Sequence, residues 1–207
     1  MPNDKTIFDI RDLEIVSRET CYDGFLRVEK LQVKHRLFAG GWSEVFTREL
    51  LVKKPAVGIL LFDAQRDQVV LVRQFRIGVI DEQQSPWLVE LVAGMVDHDE
   101  PLELVAVREA KEEANCVTAD LIKICDYYNS PGGSKEKVSL YCGRVDASSA
   151  GGNYGLKAEH EDIQVVVLSS QDVIESVDSG AINNAMTIIA IRWLQLHKED
   201  LLQRWNH

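Results

Sequence analysis

The chain has few cysteines, no long apolar run and a deficit of basic residues. Its four cysteines, Cys21, Cys116, Cys125 and Cys142, are scattered. They form no CxxC and no paired histidine spacing, which argues against a zinc site or a disulfide scaffold and for reduced thiols in a cytoplasm. The opening MPNDKTIFDI lacks an apolar signal core, and runs such as Ala56–Phe62 stop well short of the roughly 20 residues of a membrane span. Neither export by a secretory signal nor membrane insertion is expected. Lys and Arg number 23 against 33 Asp and Glu, a net charge of −10 that repels a polyphosphate backbone, so nucleic acid is not the expected partner. Internal repeats and low-complexity stretches are also missing.

What remains is the composition of a soluble globular protein: 45% hydrophobic, 27% charged, with four tryptophans. A chain of 207 residues holds one sizeable core, or one core plus a small appended domain. Residues 1–55 read as short strands joined by turns, with Gly40-Gly41 as punctuation. So short a segment buries little alone, which points to packing against the rest of the chain or a second copy. Residues 56–207 carry stronger runs at Ala56–Phe62, Val69–Val72, Trp87–Val92, Leu121–Cys125, Val138–Cys142 and Ile163–Leu168, expected as core strands. A helix fits between Glu100 and Ala114, with Pro101 in its first turn. Two more are expected at Ser170 to about Asp178, closed by Gly180, and at about Asn184 to Arg204. Strands, one central helix, strands and C-terminal helices make an α/β or α+β sandwich.

The chemistry concentrates between Gly94 and Cys116. With Glu109 at 0° on a helical wheel, Glu113 falls at about 40° and Glu112 at about −60°, so three carboxylates crowd one arc. Like charges at this spacing destabilise a helix unless a cation faces them. A hard divalent ion suits them, since Mg²⁺ takes oxygen ligands and is typically held by one or two carboxylates plus substrate phosphates. Gly94 is expected to let the strand end turn sharply and present carbonyls such as that of Ala93. Arg108 is placed to brace a carboxylate through a bidentate hydrogen bond. A solvated acidic helix face is the alternative. Against it stands the pattern Gly94, Glu100, Arg108, Glu109, Glu112 and Glu113. Six fixed identities at roughly 6% each arise by chance on the order of 10⁻⁵ times in a chain of this length.

That pattern is the Nudix box, and the segment resembles the signature of Nudix hydrolases, which cleave nucleoside diphosphates linked to another moiety. One position departs: Asn115 stands where the family usually has glycine, followed by Cys116 at a usual aliphatic. Asparagine tolerates the left-handed conformation that ends a helix, so the cap is expected to survive. The likeness covers nearly the whole chain and points to the bacterial ADP-ribose pyrophosphatase branch, through Gly24-Phe25, His35-Arg36-Leu37-Phe38, Arg73-Gln74-Phe75-Arg76, Pro86-Trp87-Leu88, Ser130-Pro131-Gly132-Gly133 and Glu159-His160-Glu161-Asp162-Ile163.

The resemblance implies a Nudix α/β/α sandwich with a mixed sheet and a small N-terminal antiparallel β domain, packed or exchanged across a homodimer. It implies Mg²⁺-dependent hydrolysis of ADP-ribose to AMP and ribose 5-phosphate, with two or three ions and Mn²⁺ able to substitute. Glu109, Glu112, Glu113 and the carbonyl of Ala93 are then the metal ligands, with Gly94, Glu100 and Arg108 in support. A general base is expected outside the box, Glu159 first and Glu161 second. Arg76 and Arg48 are phosphate clamps or ordinary surface arginines; Phe25 stacks on a purine or fills the core; Ser130 contacts the terminal ribose. Two other readings stand beside this one: hydrolysis of another nucleoside diphosphate sugar, such as GDP-mannose or ADP-glucose, and a non-catalytic nucleotide-sensing module.

Overall fold

The structure, a computed structural model, describes residues 8–83, 85–96, 100–156, 158 and 160–205. The chain forms two compact units, Met1–Lys54 with Tyr128–Glu136, and Pro55–Tyr127 with Lys137–His207.

The first unit is a three-stranded antiparallel sheet of β1 (Leu13–Asp23), β2 (Arg27–His35) and β3 (Phe46–Val52), with β2 in the middle. Only the central strand shows the period-2 burial of a packed face, at Glu29, Leu31 and Val33. Gly40 and Gly41 both take positive φ, 92° and 80°, in the connection to β3, which other residues adopt only with strain. The segment Tyr128–Glu136 was not anticipated as part of this unit. Leu51 N–H donates to the Gly133 carbonyl at 2.8 Å and Lys135 N–H to the Leu51 carbonyl at 2.9 Å, so it meets β3 in a single parallel bridge at Leu51 and Ser134. Its buried Glu136 carboxylate is held by Lys53 Nζ and, at 2.7 Å, by Asn129 Nδ2.

The second unit is an eight-stranded mixed sheet between helices. β4 (Ala56–Asp63) and β5 (Gln68–Phe75) are central, joined by β6 (Trp87–Glu90), β7 (Val92–Met95), β8 (Ala119–Tyr128), β9 (Lys137–Arg144), β10 (Asn153–Tyr154) and β11 (Ile163–Ser169). The strand order is β10-β11-β5-β4-β9-β8, with β6 added to β5 and β7 to β4. β4 runs parallel to β9 (Lys137–Arg144) and antiparallel to β5 and β7. Both faces of β4 are buried, which explains its uninterrupted apolar run. Leu60 and Phe62 face the C-terminal helices α2 (Ser170–Asp178) and α3 (Ala185–Trp205), packing with Val173, Ile191, Leu194 and Trp205. Val57, Ile59 and Leu61 face α1 (Leu102–Ala114), packing with Val105, Ala106 and Ala110. The result is an α/β/α sandwich.

Two expectations are corrected. The run Trp87–Val92 is not one strand: β6 (Trp87–Glu90) pairs with β5 and β7 (Val92–Met95) with β4. The chain crosses between them at Leu91, whose N–H is satisfied by Thr187 Oγ1 at 3.0 Å. Pro101 is the N-cap of α1 rather than a first-turn residue; lacking a capping side chain, it contributes its carbonyl, which accepts from Leu104 N–H at 2.9 Å. At the other end Asn115 sits at φ 52°, ψ 27°, the left-handed cap expected of it; its N–H donates to the Lys111 carbonyl at 3.1 Å and the Cys116 N–H to the Ala110 carbonyl at 3.0 Å. Gly180 closes α2 at φ 79°.

Candidate active site on helix α1

β7 and α1 lie against each other and supply the acidic site. Because α1 packs Val105, Ala106 and Ala110 on the sheet, Glu109 and Glu113, three or four residues further along, share that face and are drawn inward. Glu109 and Glu113 are buried, at 8% and 4% exposure, while Glu112 remains partly exposed. Gly94 makes this possible, and not by the expected sharp turn: it lies within β7 opposite Val57. A Cβ there would stand 2.0 Å from Glu109 Oε1 and 2.1 Å from its Cδ, so the missing side chain is the space the carboxylate occupies. Glu113 Oε2 accepts from Ala93 N–H at 3.1 Å. A strand residue's N–H and C=O point to the same edge, so the Ala93 carbonyl faces the same side.

Arg108 braces the cluster, though not bidentately. Its Nη1 lies 2.8 Å from Glu109 Oε1 and 3.1 Å from Glu112 Oε2, and its Nη2 3.4 Å from Glu100 Oε1. One guanidinium thus spans three carboxylates. Burial pushes the Glu109 carboxyl up to about 7, with Arg108 opposing and Glu112 and Glu161 adding to the rise. Burial likewise pushes Glu113 up to about 8, opposed by the Ala93 N–H and reinforced by Glu109 and Glu161. Arg108 feels the reverse: burial lowers it, but Glu109, Glu112 and Glu100 outweigh that and hold it above its ordinary value.

The expected ligand set does not converge on one point. Among the described residues no group of three or more Asp, Glu, His or Cys side chains is gathered as a cage. Arg108 lies between Glu109 and Glu112, and Glu113 is turned to Ala93. The donor set nevertheless suits a hard divalent cation: carboxylate oxygens, two of them buried and reluctant to ionise without a counter-charge, beside the glycine cradle.

Other expected residues divide between the units. Arg76, just beyond β5, acts on Glu113 electrostatically and donates from Nε to Glu90 Oε2 at 2.6 Å. Glu90 was missed by the sequence reading, although a lone acid inside the run Trp87–Val92 was its signal. Glu161 also joins this site through its charge, but its Oε2 accepts from Leu156 N–H at 3.0 Å and so shapes its own loop. Glu159 lies outside the described residues. Phe25, Arg48 and Ser130 belong to the other unit. There Phe25 is 92% exposed, which removes the core alternative. Arg48 stacks its guanidinium over Phe46 at 4.4 Å. The Ser130 carbonyl turns the 128–136 segment by accepting from Gly133 and Ser134 N–H.

The chain is 42% identical over 202 residues to an ADP-ribose pyrophosphatase of Haemophilus influenzae, covering 96% of this chain and 93% of that one. It is 42% identical over 198 residues to the ADP-ribose pyrophosphatase of Escherichia coli strain K12, covering 96% and 95%. A GDP-mannose pyrophosphatase of Escherichia coli O1:K1 / APEC is 33% identical over 150 residues, 72% of this chain and 78% of that one. The crystal structure of an ADP compounds hydrolase superposes with a TM-score of 0.70 at 18% identity, covering 97% of this chain and all of that one, a likeness of fold. The NUDIX domain pattern matches residues 52–204, the stretch that holds β7, α1 and the acidic cluster, and the chain belongs to the NUDIX domain family.

Proposed function

We propose that this chain is a divalent-cation-dependent pyrophosphohydrolase that cleaves ADP-ribose to AMP and ribose 5-phosphate. The observation that carries the reading is the seating of Glu109 in the space above Gly94, which gathers buried carboxylates beside the Ala93 strand edge. The choice of substrate rests on likeness, which is higher and longer to the ADP-ribose pyrophosphatases than to the GDP-mannose pyrophosphatase.

Glu109, Glu112, Glu113 and the Ala93 carbonyl would hold Mg²⁺, two or three ions, with Mn²⁺ as a substitute. When bound, the metal neutralises the diphosphate and makes a water more acidic. Arg108 keeps the carboxylates oriented, and Arg76, fixed by Glu90, presents its guanidinium to a phosphate. Glu159, with Glu161 as second choice, takes a proton from the attacking water, whose oxygen bonds to one phosphorus as the P–O bond from that phosphorus to the bridging oxygen breaks; the other phosphate departs with the bridging oxygen, giving AMP and ribose 5-phosphate. Phe25, Arg48 and Ser130 would meet the adenine, phosphate and ribose ends from a second copy of the chain. A homodimer is supported by the exposure of apolar residues in the first unit, among them Ile15, Val16, Tyr22, Phe25 and Phe38. Four free thiols accord with a cytoplasmic setting.

Initial rates on ADP-ribose, GDP-mannose and ADP-glucose, with and without Mg²⁺, test the reading. A preference for ADP-ribose that vanishes without metal is expected; a clear preference for GDP-mannose overturns the substrate. Glu113→Gln should lower kcat by orders of magnitude while the circular dichroism spectrum persists, and normal turnover in that variant removes the assigned ligand role. A non-catalytic module is disfavoured by the presence of all three glutamates.

A further inference from the structure

Among the described residues, two buried side-chain polar atoms lack a hydrogen-bond partner, Gln74 Nε2 and Thr118 Oγ1. Gln74 is 7% exposed. On β5, Val70 and Val72 face α1, and Gln74 continues that face by the period of a strand. On β6 its direct partner is Leu88, and Glu90, opposite Val72, is its diagonal neighbour. Two residues on is Arg76, bonded to the same Glu90. On the other side Arg73 pairs with Gln164, which brings Gln74 level with the start of β11 at Ile163, next to Glu161. Gln74 therefore lies on β5 between β6, which carries Glu90, and the start of β11, on the sheet face that packs against α1.

A buried amide donor without an acceptor costs free energy, and such groups persist mainly where a ligand or function supplies the missing partner. The neighbouring Arg76 is a cation on the same face, so an anionic oxygen is the chemistry both groups recognise. Resting on the pyrophosphohydrolase reading, we infer that Gln74 is a substrate-binding residue whose Nε2 donates to an anionic oxygen of the diphosphate beside Arg76. The donor is unpaired in the free protein because its acceptor arrives with the substrate.

The test uses the full chain carrying Gln74→Met, which keeps the volume and removes the donor, and Gln74→Glu, which keeps the shape and sets an acceptor where the donor was. For each, the melting temperature of the free protein is read together with kcat and KM for ADP-ribose in Mg²⁺. The melting shift given by the non-cleavable α,β-methylene analogue of ADP-ribose is read as well. Gln74→Met should melt at or above the wild-type temperature, because an unpaired polar group has gone. Its kcat/KM should fall at least tenfold and the analogue's shift should shrink. Gln74→Glu should fall further. Turnover within twofold of wild type in Gln74→Met overturns the inference, as does a large drop in its melting temperature, which would mark a structural role. Activity retained by Gln74→Glu but lost in Gln74→Met overturns the donor assignment. A wild-type protein inert toward every nucleoside diphosphate sugar is a separate result: it overturns the pyrophosphohydrolase reading, and the inference with it.

Discussion

The carboxylate of Glu109 stands where a side chain on Gly94 would have to be, with only 2.0 Å between Oε1 and a Cβ built on the glycine. This one exclusion couples the strand β7 to the acidic face of α1. Gly94→Ala forces either the carboxylate or the strand to move, and overpacking of this kind costs about 1–3 kcal/mol. The variant should melt a few degrees lower and lose at least tenfold in kcat. Wild-type values for both in thermal melts and steady-state kinetics would contradict the packing.

Glu109 and Glu113 carry carboxyls raised to about 7 and about 8 from an ordinary 4.5. The sign follows from proton counting. Between pH 4.5 and 8 the folded protein holds protons that the unfolded chain has released, so stability falls as pH rises through that window. Metal-free protein should therefore melt at a lower temperature at pH 8.5 than at pH 6. The double variant Glu109→Gln, Glu113→Gln should show a flatter profile, and added Mg²⁺ should stabilise the wild type more at the higher pH. Calorimetry across pH, with and without EDTA, reads all three.

Arg108 shares one nitrogen between Glu109 and Glu112. Arg108→Met removes the positive charge from a cluster that needs one, and the loss should be felt most where the glutamates are ionised. The expected outcome is a larger drop in melting temperature at pH 8.5 than at pH 6 for the metal-free protein. An equal drop at both would make the arginine's role one of packing alone.

Asn115 tests how α1 is ended. At φ 52° a residue with an ordinary Cβ is strained by roughly 1–2 kcal/mol, a cost asparagine and glycine lessen. Asn115→Ala should lose about 1 kcal/mol in urea unfolding, partly because Lys111 Nζ also loses its 2.5 Å bond to Asn115 Oδ1. Asn115→Gly should stay within a few tenths. If alanine is as stable as glycine there, the cap does not take this conformation in solution.

The acidic face of α1 was legible in the sequence because helical periodicity alone places Glu109, Glu112 and Glu113 together, and the apolar residues between them show which way the helix packs. The core strands β4 and β9 and the first part of β5 were legible for a different reason: runs buried on both faces need no alternation. The break at Leu91 was not, since it is set by a hydrogen bond to Thr187, distant in sequence. The purpose of Gly94 was misread because a glycine's local signal is a turn, whereas the demand here comes from another element's side chain. Glu90 and Gln74 escaped because a polar residue within an apolar strand gives no hint of its partner until the neighbouring strand is in register.

The pairing of Tyr128–Glu136 with β3 bears on how the protein can be dissected. The backbone passes from one unit to the other at three places, so cutting after Lys54 yields neither as an autonomous fragment. The N-terminal piece would lose the turn that satisfies Leu51, and the remainder would carry Glu136 without Lys53, a carboxylate stripped of its counter-ion. A genetic exchange of the amino-terminal sheet between relatives should therefore transplant both stretches together.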